Sequence, residues 1–422
     1  MTRPAVRIYT PEIQQIHTNH ISDPLSNPFS IAYYLVTDIQ HIPPIIGLFP
    51  YLGGIVITKN LQIYDFIKNK YAHLAIPCYY VSRRRRAHKL LVSQKIRTVI
   101  YPSYHTLYRG NAVQIFHGGL SDKNYVESVK ILPYDLVLFP GEKTRDKVAR
   151  SGYLKWIPKW DLVGYPKFDP LVTRTVEVQK LFSNNRKTIL YAPTWVSQNE
   201  RLKMIKFSKY GESSLHIWAK DIITQLHVEY NIIIKYHSRI YRQPGDIYEE
   251  IDNLIKTLGA SDVIKVAIDD NILPFMAQAD LMISDMSTAC YEWFHFDKPI
   301  VFANPSPENY KPSDDISSNT YAWQAGDVIN ESQDILQFVR KNLVEDFYRE
   351  KRNEIFKYAV FKPDGKATER QAQAIIEFTK RFERMPYWWL LISAWIRRRS
   401  RRTASKVLNR YYRLFKKSKI GK

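Results

Sequence analysis

Between residues 31 and 140 the chain alternates short, almost wholly apolar runs with longer mixed stretches. IAYYLVT (31–37), GIVIT (54–58), LAIPCYYV (74–81), RTVIYP (97–102), VQIF (113–116) and DLVLFP (135–140) have strand length and are rich in β-branched and aromatic residues. Their nearly continuous hydrophobicity predicts a parallel sheet covered on both faces. GEKTRDKVARSG (141–152) predicts a helix closed by Gly152. KWDLVGYPKFDPL (159–171), with two prolines and a glycine, predicts a connector.

A second series follows: KTILYAPTW (187–195), NIIIKYH (231–237), DVIKVA (262–267), DLMISD (280–285) and KPIVFA (298–303). Helical stretches at 213–230 and 287–296 separate them. The expected fold is therefore α/β, with two Rossmann-like doubly wound parallel-sheet domains, residues 1–165 and 166–384, facing across a cleft. Ligands of such sheets bind beyond the carboxyl ends of the strands.

The length of 422 residues suits two domains, and a 45% apolar fraction fills their cores. Two cysteines, Cys78 and Cys290, without CxxC spacing, predict neither a disulfide framework nor a zinc site, and suit a reducing cytosol. The first twenty residues lack an apolar signal region. The longest apolar stretch (42–57) is broken by Pro and Gly and falls short of the roughly 20 residues that span a bilayer. Net charge is +21, of which 13 cations lie between Arg384 and Lys422 with no acid among them, leaving +8 for the rest. The basicity belongs mainly to the tail.

Candidate chemistry clusters at strand ends. VQIF delivers His117 to the carboxyl edge of the first sheet, and Gly118 and Gly119 permit close approach. A neutral histidine there suits proton removal from a hydroxyl, and equally suits a hydrogen-bonded histidine at a turn. In ISDMSTACYEW (283–293), Ser287 and Thr288 open a helix, where hydroxyls and free amides suit a phosphate and also make an ordinary N-cap. Glu292, one turn on, reaches either a ribose hydroxyl or solvent. KYHSR (235–239) places Lys235, His237 and Arg239 on one face if the strand continues, suiting either a diphosphate or a solvated edge. YAPTW (191–195) ends a strand at Pro193-Thr194, where a turn presents a hydroxyl and amides. GxxxxGK[ST], GxGxxG, HExxH and GxSxG are all missing, which disfavours P-loop nucleotidases, dinucleotide enzymes, zincins and serine hydrolases of those types.

Taken in order, HGG (117–119), GYPKFD (164–169), YAPTW (191–195), KYH (235–237), SDMSTACYE (284–292) and DGKATERQ (364–371) resemble the CDP-glycerol glycerophosphotransferase family of teichoic-acid and capsule-type enzymes. The resemblance implies a GT-B fold and attack of an acceptor hydroxyl on the β-phosphate of a CDP-linked donor, releasing CMP, with no cofactor. It implies His117 as general base and His237 as a second functional histidine near the donor phosphates. Gly118, Gly119, Lys167, Pro193, Thr194, Lys235, Ser287, Thr288 and Glu292 fall at donor- or phosphate-handling positions. No metal is implied, in keeping with the lack of a DxD-like cluster. Two departures stand out: the family's HGTPLK is HGGLSD here, and KxHP is KYHSR. They leave open a transferred group or acceptor other than glycerol phosphate. A nucleotide-sugar glycosyltransferase of capsule or lipopolysaccharide synthesis and a non-catalytic polyanion or nucleic-acid binder are the competing classes.

Residues 385–422 predict a basic tail in two parts: the apolar PYWWLLISAWI, then a helix with Ala404, Val407, Leu408, Tyr411, Tyr412 and Phe415 on one face and Lys406, Arg410, Arg413 and Lys417 on the other. That segregation favours an anionic membrane interface over nucleic acid. It leads to the expectation of a cytoplasmic enzyme, peripheral on the inner face of the cell membrane. A second basic cluster, Arg83–Arg86, suits the same membrane, a polyanionic acceptor or a solvated helix start. Oligomeric state is not encoded in any pattern along the chain.

Overall fold

The computed structural model describes residues 28–116, 120, 122, 126–173, 180–195, 212–237, 246–267 and 271–420. They form two compact units. The first comprises the described residues of 28–116, 126–172 and 360–420; the second comprises Leu120, Asp122 and the described residues of 173–359.

The first unit is built on seven parallel strands: β1 (Ile31–Leu35), β2 (Ile55–Thr58), β3 (Cys78–Tyr80), β4 (Thr98–Tyr101), β5 (Asn111–Gln114), β6 (Leu136–Phe139) and β7 (Trp160–Leu162). Their order is β3-β2-β1-β4-β5-β6-β7. Strands β1, β2, β4 and β6 are buried along their whole length, as runs without polar alternation require, and β5 is buried too although it begins and ends on Asn111 and Gln114. Helix α1 (Pro43–Leu52) supplies Ile45, Leu48, Phe49 and Leu52 to one core cluster. α2 (Leu61–Lys70), α3 (Arg84–Ser93) and α4 (Glu142–Arg150) are the crossovers.

The second unit repeats the plan with β8 (Thr188–Ala192), β9 (Asn231–Lys235), β10 (Ile264–Ala267), β11 (Leu281–Ser284), β12 (Ile300–Ala303) and β13 (Asp327–Ile329), ordered β10-β9-β8-β11-β12-β13 and all parallel. The second sheet thus repeats the order of the first six strands of the first, which adds β7 at its edge, and it reverses direction between β8 and β11. In such sheets the reversal point is where ligands bind. α5 (Leu215–Leu226), α6 (Asp246–Thr257), α7 (Leu273–Gln278), α8 (Ala289–Phe294), α9 (Asp334–Val344) and α10 (Arg349–Ala359) complete this unit. α11 (Ala367–Lys380) and α12 (Tyr387–Ile420) return to the first.

Four expectations are corrected. The connector at 159–171 contains strand β7, three residues at a sheet edge. LAIPCYYV is a strand only over its last residues, because a left-handed residue, Ala75, turns the chain before Pro77. VQIF is not a strand to its end: β5 begins at the polar Asn111 and stops at Gln114, three residues before His117. The tail is not two segments but a single 34-residue helix.

That helix, α12, docks through arginines of its first half; of the two faces expected over 404–417, the side chains other than Ala404 and Val407 lie outside the described residues. Its inner face carries Leu390, Ala394 and Arg398, all fully buried. Arg397 donates to Asp135 (3.2 Å) and Asn111 (2.9 Å), and Arg401 to Tyr134 O (3.0 Å) and Asp135 (2.9 Å). Arg398 donates to Leu107 O (2.6 Å) and Gly110 O, and Arg402 to Thr106 Oγ1 (2.5 Å) and the Tyr108 hydroxyl. Four of the tail's cations are therefore bonded to the first unit. The aromatic and aliphatic side chains Trp388, Trp389, Ile392, Trp395 and Ile396 point out, 44–63% exposed. Among the described residues no helix is long and apolar enough to cross a membrane.

Candidate functional site

The motifs YAPTW and SDMST meet at the reversal point of the second sheet. Ala192 at the end of β8 is paired with Ser284 at the end of β11, whose hydroxyl donates to the Ala192 carbonyl at 2.7 Å. The chain then enters Asp285, which is buried. The Asp285 carboxylate accepts from Thr194 N at 3.0 and 3.1 Å, from Ser214 N at 2.9 Å and from the Ser214 hydroxyl at 3.0 Å. Ser214 also shares a hydrogen bond with the Tyr191 hydroxyl (2.9 Å), and Ser213 Oγ donates to Thr194 O (2.7 Å). One carboxylate thus ties together the turn after β8, the start of α5 and the exit of β11. In the sequence Asp285 is only a strand end and Ser214 only a helix start, and neither carries a local sign of this junction. Of the groups expected at that turn, the Thr194 amide is held by Asp285 and is not offered to a ligand.

Ser287 and Thr288 follow directly and are half-buried. Ser287 N donates to Asp285 O (3.0 Å), and Ser287 Oγ accepts from Ala289 N (3.3 Å). Ser287 thus bonds the first amide of the helix that follows, whereas Thr288, at the N-cap, makes no side-chain cap hydrogen bond. α8 has only six residues, so its dipole is weak, and the hydroxyls rather than the helix end characterise this edge. Glu292 is buried, which removes the solvent-pointing alternative. Cys290 beside it is buried too, and burial pushes its thiol up to about 12, so it is no nucleophile at neutral pH.

Strand β9 ends at Lys235, so the alternation that would align Lys235, His237 and Arg239 does not continue. Lys235 is buried and its ammonium donates to Tyr236 O at 2.9 Å. His237 lies two residues past the strand, half-buried. Asp122, where the resembled motif has Lys, is buried in the second unit: it accepts from the Tyr291 hydroxyl (2.5 Å) and from Ala322 N (2.9 Å).

GYPKFD and DGKATERQ come together in the first unit. Gly164 has φ +86°, and a Cβ there would meet the Phe361 carbonyl at 2.6 Å. Arg370 donates to Val163 O (3.0 Å), to Lys362 O (2.8 Å) and to both oxygens of Asp364 (2.8 Å). Asp169 accepts from Ala367 N (3.1 Å) and Thr368 N (2.6 Å), capping α11. These two motifs brace each other. Lys167, between them, is half-buried on a short 3₁₀ turn. His117, Gly118, Gly119 and Arg239 lie outside the described residues. Among the described residues no group of three or more His, Cys, Asp or Glu could hold a metal ion.

A family described as CDP-glycerol:poly(glycerophosphate) glycerophosphotransferase matches residues 135–377. The teichoic acid glycerol-phosphate primase of Bacillus subtilis (strain 168) is 23% identical over 185 residues, 42% of this chain and 42% of the relative. The teichoic acid poly(ribitol-phosphate) polymerase of Bacillus spizizenii is 20% identical over 195 residues, 46% of this chain and 28% of the relative. The chain thus matches less than half the length of either curated relative. Among solved structures, the wall teichoic acid polymerase TagF superposes with a TM-score of 0.56 at 17% identity, covering 86% of this chain and 91% of that one. The UDP-GlcNAc 2-epimerase of Methanocaldococcus jannaschii gives 0.52 at 15% identity over 82% and 99%. The expected two-Rossmann GT-B fold is borne out; a fold shared by a polymerase and an epimerase does not fix the chemistry.

Proposed function

Since the chain belongs to the CDP-glycerol:poly(glycerophosphate) glycerophosphotransferase family, we propose that it transfers a glycerol-phosphate or related polyol-phosphate group from a CDP-linked donor to a hydroxyl of a cell-surface polymer or its lipid-linked precursor. The acceptor oxygen attacks the β-phosphorus. The bond from that phosphorus to the bridging oxygen breaks, CMP leaves with the electron pair, and the acceptor's proton passes to His117. Ser287, Thr288 and His237 hold the diphosphate, with Glu292 toward the ribose. Lys235 and Thr194 shape the edge from beneath, Lys235 through a backbone carbonyl and Thr194 through Asp285.

The observation that carries this reading is the junction at Asp285. It sets the exits of β8 and β11 side by side at the sheet's reversal point, where nucleotide ligands bind in such folds. Ser287 and Thr288 stand on that exit. The test is product release: CMP from CDP-glycerol, one per acceptor unit added, with a polymer acceptor present. UDP released from UDP-sugars instead would identify a nucleotide-sugar glycosyltransferase. Binding of polyanions with no turnover of any donor would identify a binder.

The proposal includes work at the inner face of an anionic membrane, with the outward face of α12 as the contact. Trp388, Trp389 and Trp395 are suited to the headgroup level, and Arg399 lies over the Trp395 ring at 5.0 Å. On this reading the aromatics enter the interface, while Arg397, Arg398, Arg401 and Arg402 hold the helix to the protein.

A further inference from the structure

The first unit carries a strip of cations that the transfer chemistry does not use. Lys59 follows β2, Arg83 lies between β3 and α3, and Arg85 and Arg86 occupy the first turn of α3. Lys130 sits on a 3₁₀ turn close enough to His105, just past β4, to act on it electrostatically. All five cations are exposed, and among the described residues none has a carboxylate partner.

Two more arginines run on from this edge. Arg84 donates to Thr106 O and lies over the Tyr108 ring at 4.8 Å. Arg402 lies over the same ring at 4.3 Å and bonds Thr106 as well. Lys130, Arg84 and Lys59 all act on His105, against one acid, Asp38, which is buried.

This arrangement does not serve stability. α3 has no acid in its first turn and no side-chain cap, so its arginines crowd the positive end of the helix. Self-repulsion and an unfavourable dipole remain unless an external anion relieves them. The strip follows the carboxyl ends of strands from β3 across to β4, three strand spacings or about 14 Å. That is too long for one phosphate and suits a chain that repeats its charge. It also lacks the tryptophan face that marks α12.

We propose that Lys59, Arg83, Arg85, Arg86 and Lys130 form the track on which the phosphodiester chain of the acceptor lies. The proposal rests on the transferase reading above, and names the acceptor as a polyanion read through its backbone phosphates.

The test compares the wild type with a triple variant, R83Q/R85Q/R86Q, whose substitutions are on exposed positions. Initial rates with CDP-glycerol are measured on a long poly(glycerophosphate) acceptor and on a single-unit acceptor. The expected result is a KM for the long acceptor raised about tenfold, with kcat, donor KM and single-unit kinetics unchanged. Raising the salt should weaken the wild type more than the variant. An unchanged long-acceptor KM, or an equal loss on both acceptors, overturns the track. Binding of labelled poly(glycerophosphate) is followed by fluorescence anisotropy as well, so that the track is tested even if CDP-glycerol is not the donor. Loss of binding to vesicles containing anionic lipid, with polymer binding intact, would overturn it in favour of a lipid contact.

Discussion

Replacing Asp285 with Asn changes one atom's chemistry and almost no volume. In the native chain its two oxygens accept from the Thr194 amide, the Ser214 amide and the Ser214 hydroxyl, all within 2.9–3.1 Å and away from solvent. Asparagine keeps one acceptor oxygen and turns an NH₂ toward at least one backbone N–H. The loss is one or two charge-assisted hydrogen bonds, together with a buried donor left unsatisfied. That is about 3 kcal/mol, or a fall of about 6–12 °C in the melting of the second unit. Because Asp285 positions Thr194 and leads into Ser287, donor KM should rise as well. Ser214→Ala removes a single hydroxyl and should cost about 1 kcal/mol. The assay is differential scanning calorimetry, where the units can melt separately, together with steady-state kinetics on the donor. A D285N protein with wild-type melting and unchanged donor KM would refute the assigned junction.

Four further outcomes follow from the same structure. His117→Ala should abolish transfer while donor binding, measured by calorimetric titration, survives; unchanged turnover removes His117 as the base. Gly164→Ala, at φ +86° against the Phe361 carbonyl, should lower the melting of the first unit by the equivalent of about 3 kcal/mol, and a neutral result would show that the loop relaxes. Desolvation, then the charges of Arg84, Arg109, Arg398 and Arg402, push His88 down to about 4 from 6.5. The unfolded chain therefore binds the extra proton between those values, so His88's contribution is intact above pH 6.5 and is lost as pH falls toward 4. His88→Gln should flatten the pH dependence of melting in that window, and an unaltered slope would contradict the assignment. Trp388→Ser with Trp395→Ser should reduce sedimentation with vesicles of anionic lipid several-fold without changing turnover on a soluble acceptor; equal sedimentation would show that α12 does not face the bilayer.

The parallel sheets were legible because strands buried on both faces cannot alternate, and β1, β2, β4, β6, β8, β9, β11 and β12 show that plainly. β7 and β13 were not, since each is three residues at an edge with Asp in it. β5 was misplaced because its first residue is a buried Asn that accepts from Arg397, a contact 286 residues away. Within the candidate site, the motifs at Thr194 and Ser287 were visible as turn and cap signals. Asp285 was not, for its partners Thr194 and Ser214 lie 91 and 71 residues away and leave no local trace. The tail's helical period was readable, but not which face docks. Arginine's long stem and fork of donors allowed the arginines of its first half to become the docking face.

Incubation with CDP-glycerol and a defined poly(glycerophosphate) acceptor, with CMP and acceptor length measured together, bears most directly on the proposed transfer. One CMP for each glycerol phosphate added as a new phosphodiester is the predicted result. No CMP, or release of UDP from a UDP-sugar with glycan growth instead, would contradict it.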